Sequence, residues 1–93
     1  MMIRPADAYK KVIDHVARIN PFIEPYGMIE GKDVYIVKFC DKDDHKQASE
    51  NQYVINKTNG EISSVFVLSV QIKYPDFTSW PKIDITEFNQ RAS

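Results

Sequence analysis

The stretch Gln52-Tyr53-Val54-Ile55-Asn56-Lys57-Thr58-Asn59-Gly60-Glu61-Ile62 decides the reading of the fold. It sets an apolar run on each side of a polar connection, which is the pattern of a β-hairpin. Gly60 takes a positive φ at little cost, as a hairpin turn with a bulge requires. Beyond the turn, Ile62, Phe66, Leu68, Val70 and Ile72 alternate with Ser63, Val65, Val67, Ser69 and Gln71, with Ser64 the only polar residue on the even side. That alternation predicts a long second strand over 61–74, bent or bulged in its middle, with Pro75 ending it.

Upstream of the hairpin, 34–40 reads as a strand. Tyr35, Val37 and Phe39 form an apolar face; Val34, Ile36, Lys38 and Cys40 form a mixed one. A weaker strand, 22–29, contains Pro25, which cannot donate to a ladder, so this strand is expected at an edge or broken there. Glu30-Gly31-Lys32-Asp33 is the turn between the two. Residues 5–19 predict an amphipathic helix. Tyr9, Val12, Ile13, Val16 and Ile19 share one face, and Lys10, Lys11, Asp14 and Arg18 lie on the other. Pro5 suits the first turn, Asp7 and Arg18 complement the helix dipole, and Asn20-Pro21 stops the helix. The tail from Asp76 onward reads as irregular but apolar enough to pack, with Phe77, Trp80, Ile83, Ile85 and Phe88, and with Thr86 as cap of a short turn. The expected architecture is one α+β domain over 1–93, with the N-terminal helix on one face of an antiparallel sheet of about four strands.

Composition narrows the function classes. The chain has 93 residues, 43% hydrophobic and 27% charged, near globular averages, so wholesale disorder is not expected. A net charge of −1 lacks the basic excess of a nucleic-acid binder. Cys40 stands alone, so no internal disulfide is expected. The N-terminus does not resemble a signal peptide and no apolar run is long enough to span a membrane, so a cytoplasmic location is expected.

Little in the chain suggests catalysis. His15 and His45 lie in polar surroundings, and a Cys40–His pair has no supporting local motif. Asp41-Lys42-Asp43-Asp44-His45 starts like a calcium loop, but the sixth position is Lys46 and the twelfth is Gln52, where glycine and glutamate are required. Gly27, Gly31 and Gly60 never cluster, so there is no phosphate-cradling loop. Asn56-Lys57-Thr58 matches a glycosylation sequon that the turn already explains. No catalytic residue, metal or cofactor is expected.

With the helix at 6–19 and the strand at 34–37, the run Tyr53-Val54-Ile55-Asn56-Lys57-Thr58-Asn59-Gly60-Glu61-Ile62 resembles a hairpin of two groups. These are the PepSY-like domains and the small immunity proteins of bacterial toxin systems. The likeness covers roughly 5–66 and leaves the tail unmatched. PepSY-like membership would imply a secreted or membrane-attached regulator of peptidases. Immunity-protein membership would imply a cytosolic protein of about this size that binds a toxin and blocks its active site. Neither group has a site motif that maps onto this chain.

The expectation is therefore a non-enzymatic protein-binding module of the immunity kind, with a PepSY-like regulator and a small ligand-binding domain or enzyme with a helix–sheet pocket as alternatives. The acidic loop supplies Asp41, Asp43, Asp44 and Glu50 for a basic protein partner, possibly a toxin, and Trp80 is the candidate apolar anchor. No nucleic-acid or membrane partner is expected. The long second strand leaves room for a homodimer by edge pairing.

Overall fold

The computed structural model describes residues 2–44, 46 and 48–88. Helix α1 covers Pro5–Ile19, followed by β1 (Ile23–Glu30), β2 (Val34–Asp41), β3 (Asn51–Asn56) and β4 (Ile62–Phe66). A 3-10 turn (Val67–Ser69), the short helix α2 (Val70–Lys73), a second 3-10 turn (Phe77–Ser79) and β5 (Lys82–Ile83) complete the order. All strand pairs are antiparallel, in the order β4-β3-β2-β1-β5. The fold is α+β as expected, with five strands where about four were read, because the tail contributes β5 beside Met28 and Ile29.

α1 has the predicted bounds. It begins after Arg4 with Pro5 in its first turn and ends where the Asn20 N–H still bonds the Val16 carbonyl at 2.8 Å while Asn20 itself is extended. Ala8, Tyr9, Val12 and Val16 form its buried stripe. Ile19 does not join them: it is 58% exposed, one turn beyond the last buried residue, where the chain turns away at Asn20-Pro21.

β1 carries the device that aligns the sheet. Its register against β2 shifts between Pro25 and Gly27, so Tyr26 and Gly27 together oppose Lys38. One extra residue reverses side-chain parity. Ile23, before the bulge, and Met28, after it, therefore both face α1. β5 pairs only with Met28 and Ile29, so Pro25 sits where β1 has no neighbour on that side and its missing N–H costs no ladder bond.

The sheet is covered on both faces. Toward α1, Met28, Tyr35, Val37, Phe39, Tyr53 and Ile55 meet the helix stripe, with Ile85 at the margin. The odd face of β2 meets the helix, as read. The opposite face carries Ile29, Ile36, Val54 and Val65 under Val70, with Tyr74, Phe77 and Trp80 against them. This second core corrects the strand expected over 61–74. That strand stops at Phe66, and the chain folds back as a lid. The predicted alternation breaks as well: of its even positions only Val70 is buried, together with the odd Val65, whereas Phe66, Leu68 and Ile72 are 47%, 73% and 83% exposed. Leaving Ile29, Ile36 and Val54 open to water would forfeit roughly 1.5–3 kcal/mol per side chain, so folding back outweighs extending the hairpin.

The hairpin turn follows its sequence. Gly60 has φ +71°, and the Asn56 side-chain oxygen accepts from the Thr58 and Asn59 N–H groups at 2.8 and 3.1 Å. The turn is also anchored from below. Lys57 is 6% exposed, and its Nζ lies 2.7 Å from Glu30 Oε2 and 4.8 Å from the centre of the Tyr35 ring. The Lys57 carbonyl accepts from the Ile3 N–H at 2.8 Å, and the Tyr35 hydroxyl donates to the Ile3 carbonyl at 3.1 Å. As far as Phe88 the tail packs on the two cores, through Phe77, Trp80, Ile83, Ile85 and Phe88, and its last described turn is capped by Asp84, whose Oδ1 accepts from the Thr86 N–H at 2.9 Å, rather than by Thr86. An aspartate two residues before the donating N–H makes an Asx turn, which a threonine inside the turn cannot.

Candidate partner-binding surface

The four acidic candidates sit at the end of the sheet where β2 finishes and β3 begins. The β2–β3 ladder stops at Val37 opposite Tyr53, and the two strands then part around the acidic loop. A side chain closes the gap. Gln52 is 3% exposed, and its Oε1 accepts from the Phe39 N–H at 2.7 Å. Its Nε2 donates to the carbonyls of Ser49 at 3.1 Å and Phe39 at 3.4 Å. The loop is further held by the Ser49 N–H on the Phe39 carbonyl (3.0 Å) and the Lys42 N–H on the Phe22 carbonyl (3.0 Å). Two Asx turns shape its tip: Asp41 Oδ1 accepts from the Asp43 N–H at 2.9 Å and Asp44 Oδ1 from the Lys46 N–H at 3.1 Å.

These restraints present charge without burying it. Asp43, Asp44 and Glu50 are exposed and Asp41 is half-buried. Asp41 and Glu50 line one groove of about 300 Å³ together with Asn20, Phe22 and Asn51. Phe22 is 72% exposed on its rim.

Trp80 is elsewhere. A Cβ placed on Gly31 would come within 2.6 Å of its ring, and the Tyr74 ring packs edge-on at 5.6 Å. Gly31 lies at the β1–β2 turn, and β2 runs from that turn to Asp41, so Trp80 and the acidic loop are roughly 20 Å or more apart. The acidic residues form one surface, and Trp80 belongs to the second core.

The residues considered for chemistry do not converge. Cys40 is 4% exposed on the sheet face opposite α1, whereas His15 on α1 packs edge-on to Tyr53 at 6.2 Å on the other face. Burial pushes the Cys40 thiol up, and the nearby Glu24 and Asp41 carboxylates push it further, the reverse of an activated thiolate. His45 lies outside the described residues. Among the described residues no group of three or more His, Cys, Asp or Glu side chains is placed to hold a metal ion, and no helix is long and apolar enough to cross a membrane. A further cavity of about 170 Å³ opens on the face away from α1, between Tyr26, Lys38, Gln52 and Phe77. It is smaller than the ~300–1,000 Å³ usual for small-molecule sites.

Sequence reasoning missed the buried Lys57, the clamp at Gln52 and the exposed Phe22. Only the last had a signal: it follows the helix-stopping Asn20-Pro21 pair, where the chain reverses at the surface. No family model, curated protein or solved structure matches the chain.

Proposed function

We propose that the chain is a non-enzymatic binding module that docks a basic protein through its acidic end, in the manner expected of an immunity protein that occludes a toxin. One observation carries the reading: Asp41 and Glu50, separated in sequence, line the same groove beside a Phe22 side chain that is 72% exposed. An aromatic rimmed by carboxylates combines an apolar anchor with long-range attraction for a cationic surface. Lys42 and Lys46 temper the charge, so steering would come from the groove side of the loop rather than from its net charge. Trp80 takes no part in this surface.

The test is capture from the native host with the wild-type chain, followed by kinetics on the captured protein with the variant D41N/D43N/D44N/E50Q. The expected result is a basic partner whose association slows by about tenfold or more in the variant, with a flatter salt dependence. A partner that binds both forms with the same association rate and the same salt slope would remove the acidic end from the proposal. Phe22→Ala separately tests the anchor, with dissociation about tenfold or more faster expected.

A further inference from the structure

The two edges of the sheet are built differently. On one side β5 is two residues long, is entered through Pro81, and includes Lys82, while the rest of the β1 edge carries Pro25 and its bulge. Each of these features discourages strand addition. The β4 edge has none of them. The run Ile62-Ser63-Ser64-Val65-Phe66-Val67-Leu68-Ser69-Val70-Gln71-Ile72 holds eleven residues without a charge or a proline, and Ser63, Ser64 and Phe66 are exposed.

The ladder fixes which backbone groups point outward. The Asn56 N–H bonds the Glu61 carbonyl at 2.9 Å and the Val67 N–H bonds the Glu50 carbonyl at 2.7 Å, so Glu61, Ser63, Val65 and Val67 turn their polar groups toward β3. Ile62, Ser64 and Phe66 turn theirs to the open edge. Three outward residues spaced by two, centred on Ser64, are complementary to themselves about a two-fold axis. Antiparallel pairing with Ser64 opposite Ser64 sets Ile62 opposite the second copy's Phe66 and makes each pair of outward residues a hydrogen-bonded one. All six N–H and six C=O groups at the interface then serve twelve ends of six hydrogen bonds. The side chains agree: serine meets serine at the axis, and on each side a half-exposed Phe66 meets a β-branched Ile62, a favourable cross-strand pair.

We infer that the β4 edge is a homodimer interface, joining two copies through Ile62–Phe66 into a continuous ten-stranded sheet. Its occupant is a second copy because the register that satisfies every outward group is the symmetric one, and no charge opposes it.

Sedimentation of the wild type at about 100 µM should show a dimer. Ser64→Pro removes an N–H that faces the open edge, not β3, and Ser64→Lys sets like charges opposite each other at the axis. Either should weaken the dimer by at least about tenfold with the circular dichroism spectrum retained. Should Ser64→Pro unfold, Ser64→Lys decides alone. In Ser64→Cys the two Cα atoms would be about 5.5 Å apart, within disulfide range, so mild oxidation should give a covalent dimer. A wild type that is monomeric at that concentration overturns the inference and leaves the edge to a different strand. A dimer that survives both substitutions with unchanged affinity overturns it too.

Discussion

Removing the Gln52 amide should destabilise the domain far more than its polar character suggests. The side chain stands in for backbone at the place where β2 and β3 part. In Gln52→Ala the Phe39 N–H loses an acceptor at 2.7 Å in a buried setting, which costs about 1–3 kcal/mol for an unsatisfied donor. The Phe39 carbonyl keeps the Ser49 N–H at 3.0 Å, so it adds little. The lost side-chain burial adds about 0.8 kcal/mol, giving a total of roughly 2–4 kcal/mol. That is a large share of the ~5–15 kcal/mol available to a small domain. Urea unfolding followed by circular dichroism should show a lower midpoint with an unchanged slope. Gln52→Glu sharpens the test. Its carboxylate keeps the acceptor for Phe39 but loses the donor to two carbonyl oxygens, so the folded state favours the protonated acid and raises its pKa above the unfolded value of about 4.3. A raised folded pKa contributes stability that is present below the unfolded pKa and lost as pH rises through the folded one. The glutamate variant should therefore approach the wild type near pH 4 and fall behind it toward neutrality. A Gln52→Ala loss below about 0.5 kcal/mol would refute the reasoning, because it would mean that the Phe39 N–H finds another partner.

Gly31→Ala should displace the only tryptophan. The new Cβ would lie 2.6–3.0 Å from three Trp80 ring atoms, and Gly31 has no positive φ, so the effect is one of space. A red-shifted fluorescence maximum and a loss of about 1–3 kcal/mol are expected, and an unshifted spectrum would place Trp80 off Gly31. At alkaline pH the raised thiol of Cys40 should cost stability. The unfolded chain ionises it first, near pH 8.5, so stability falls as pH rises from there. Cys40→Ala should remove that first part of the decline, leaving the raised hydroxyls of Tyr35 and Tyr53 to act from about pH 10, and an identical alkaline profile in the variant would contradict this.

The elements with local causes were legible in the sequence. The helix was framed by Pro5 and by Asn20-Pro21, and the hairpin by Asn56 and Gly60, so their bounds needed no knowledge of neighbours. Pro25 announced a break but not its purpose. The bulge at Tyr26 matters because Ile23 and Met28 must reach the same core, and that requirement exists only once α1 lies on the sheet. The run after Phe66 was misread for a related reason. An uncharged alternating segment fits a strand equally well, and only the second apolar face, Ile29 with Ile36 and Val54, turns it into a cover. The same missing information split the candidate site. Asp41 and Glu50 could be joined through one loop, but Trp80's place depended on how the tail crossed the sheet.

With both faces of the sheet covered, the two surfaces proposed for recognition lie at its acidic end and its β4 edge. Among the described residues, the exposed large apolar side chains include Phe22 at the acidic end, Phe66 on β4, and Leu68 and Ile72 in the cover that follows it. The two surfaces adjoin, since Phe66 pairs with Asn51 and the Val67 N–H bonds the Glu50 carbonyl. Pairing through Ser64 nevertheless keeps them from competing. β4 points toward the acidic end, and antiparallel pairing sends the second copy's β4 the opposite way, so the two acidic ends lie at opposite corners of the joined sheet. Each copy's carboxylates then keep clear of the other's, and no like-charge repulsion acts across the axis. A dimer of this form would hold two basic partners at once, and either surface could fail its test without carrying the other with it.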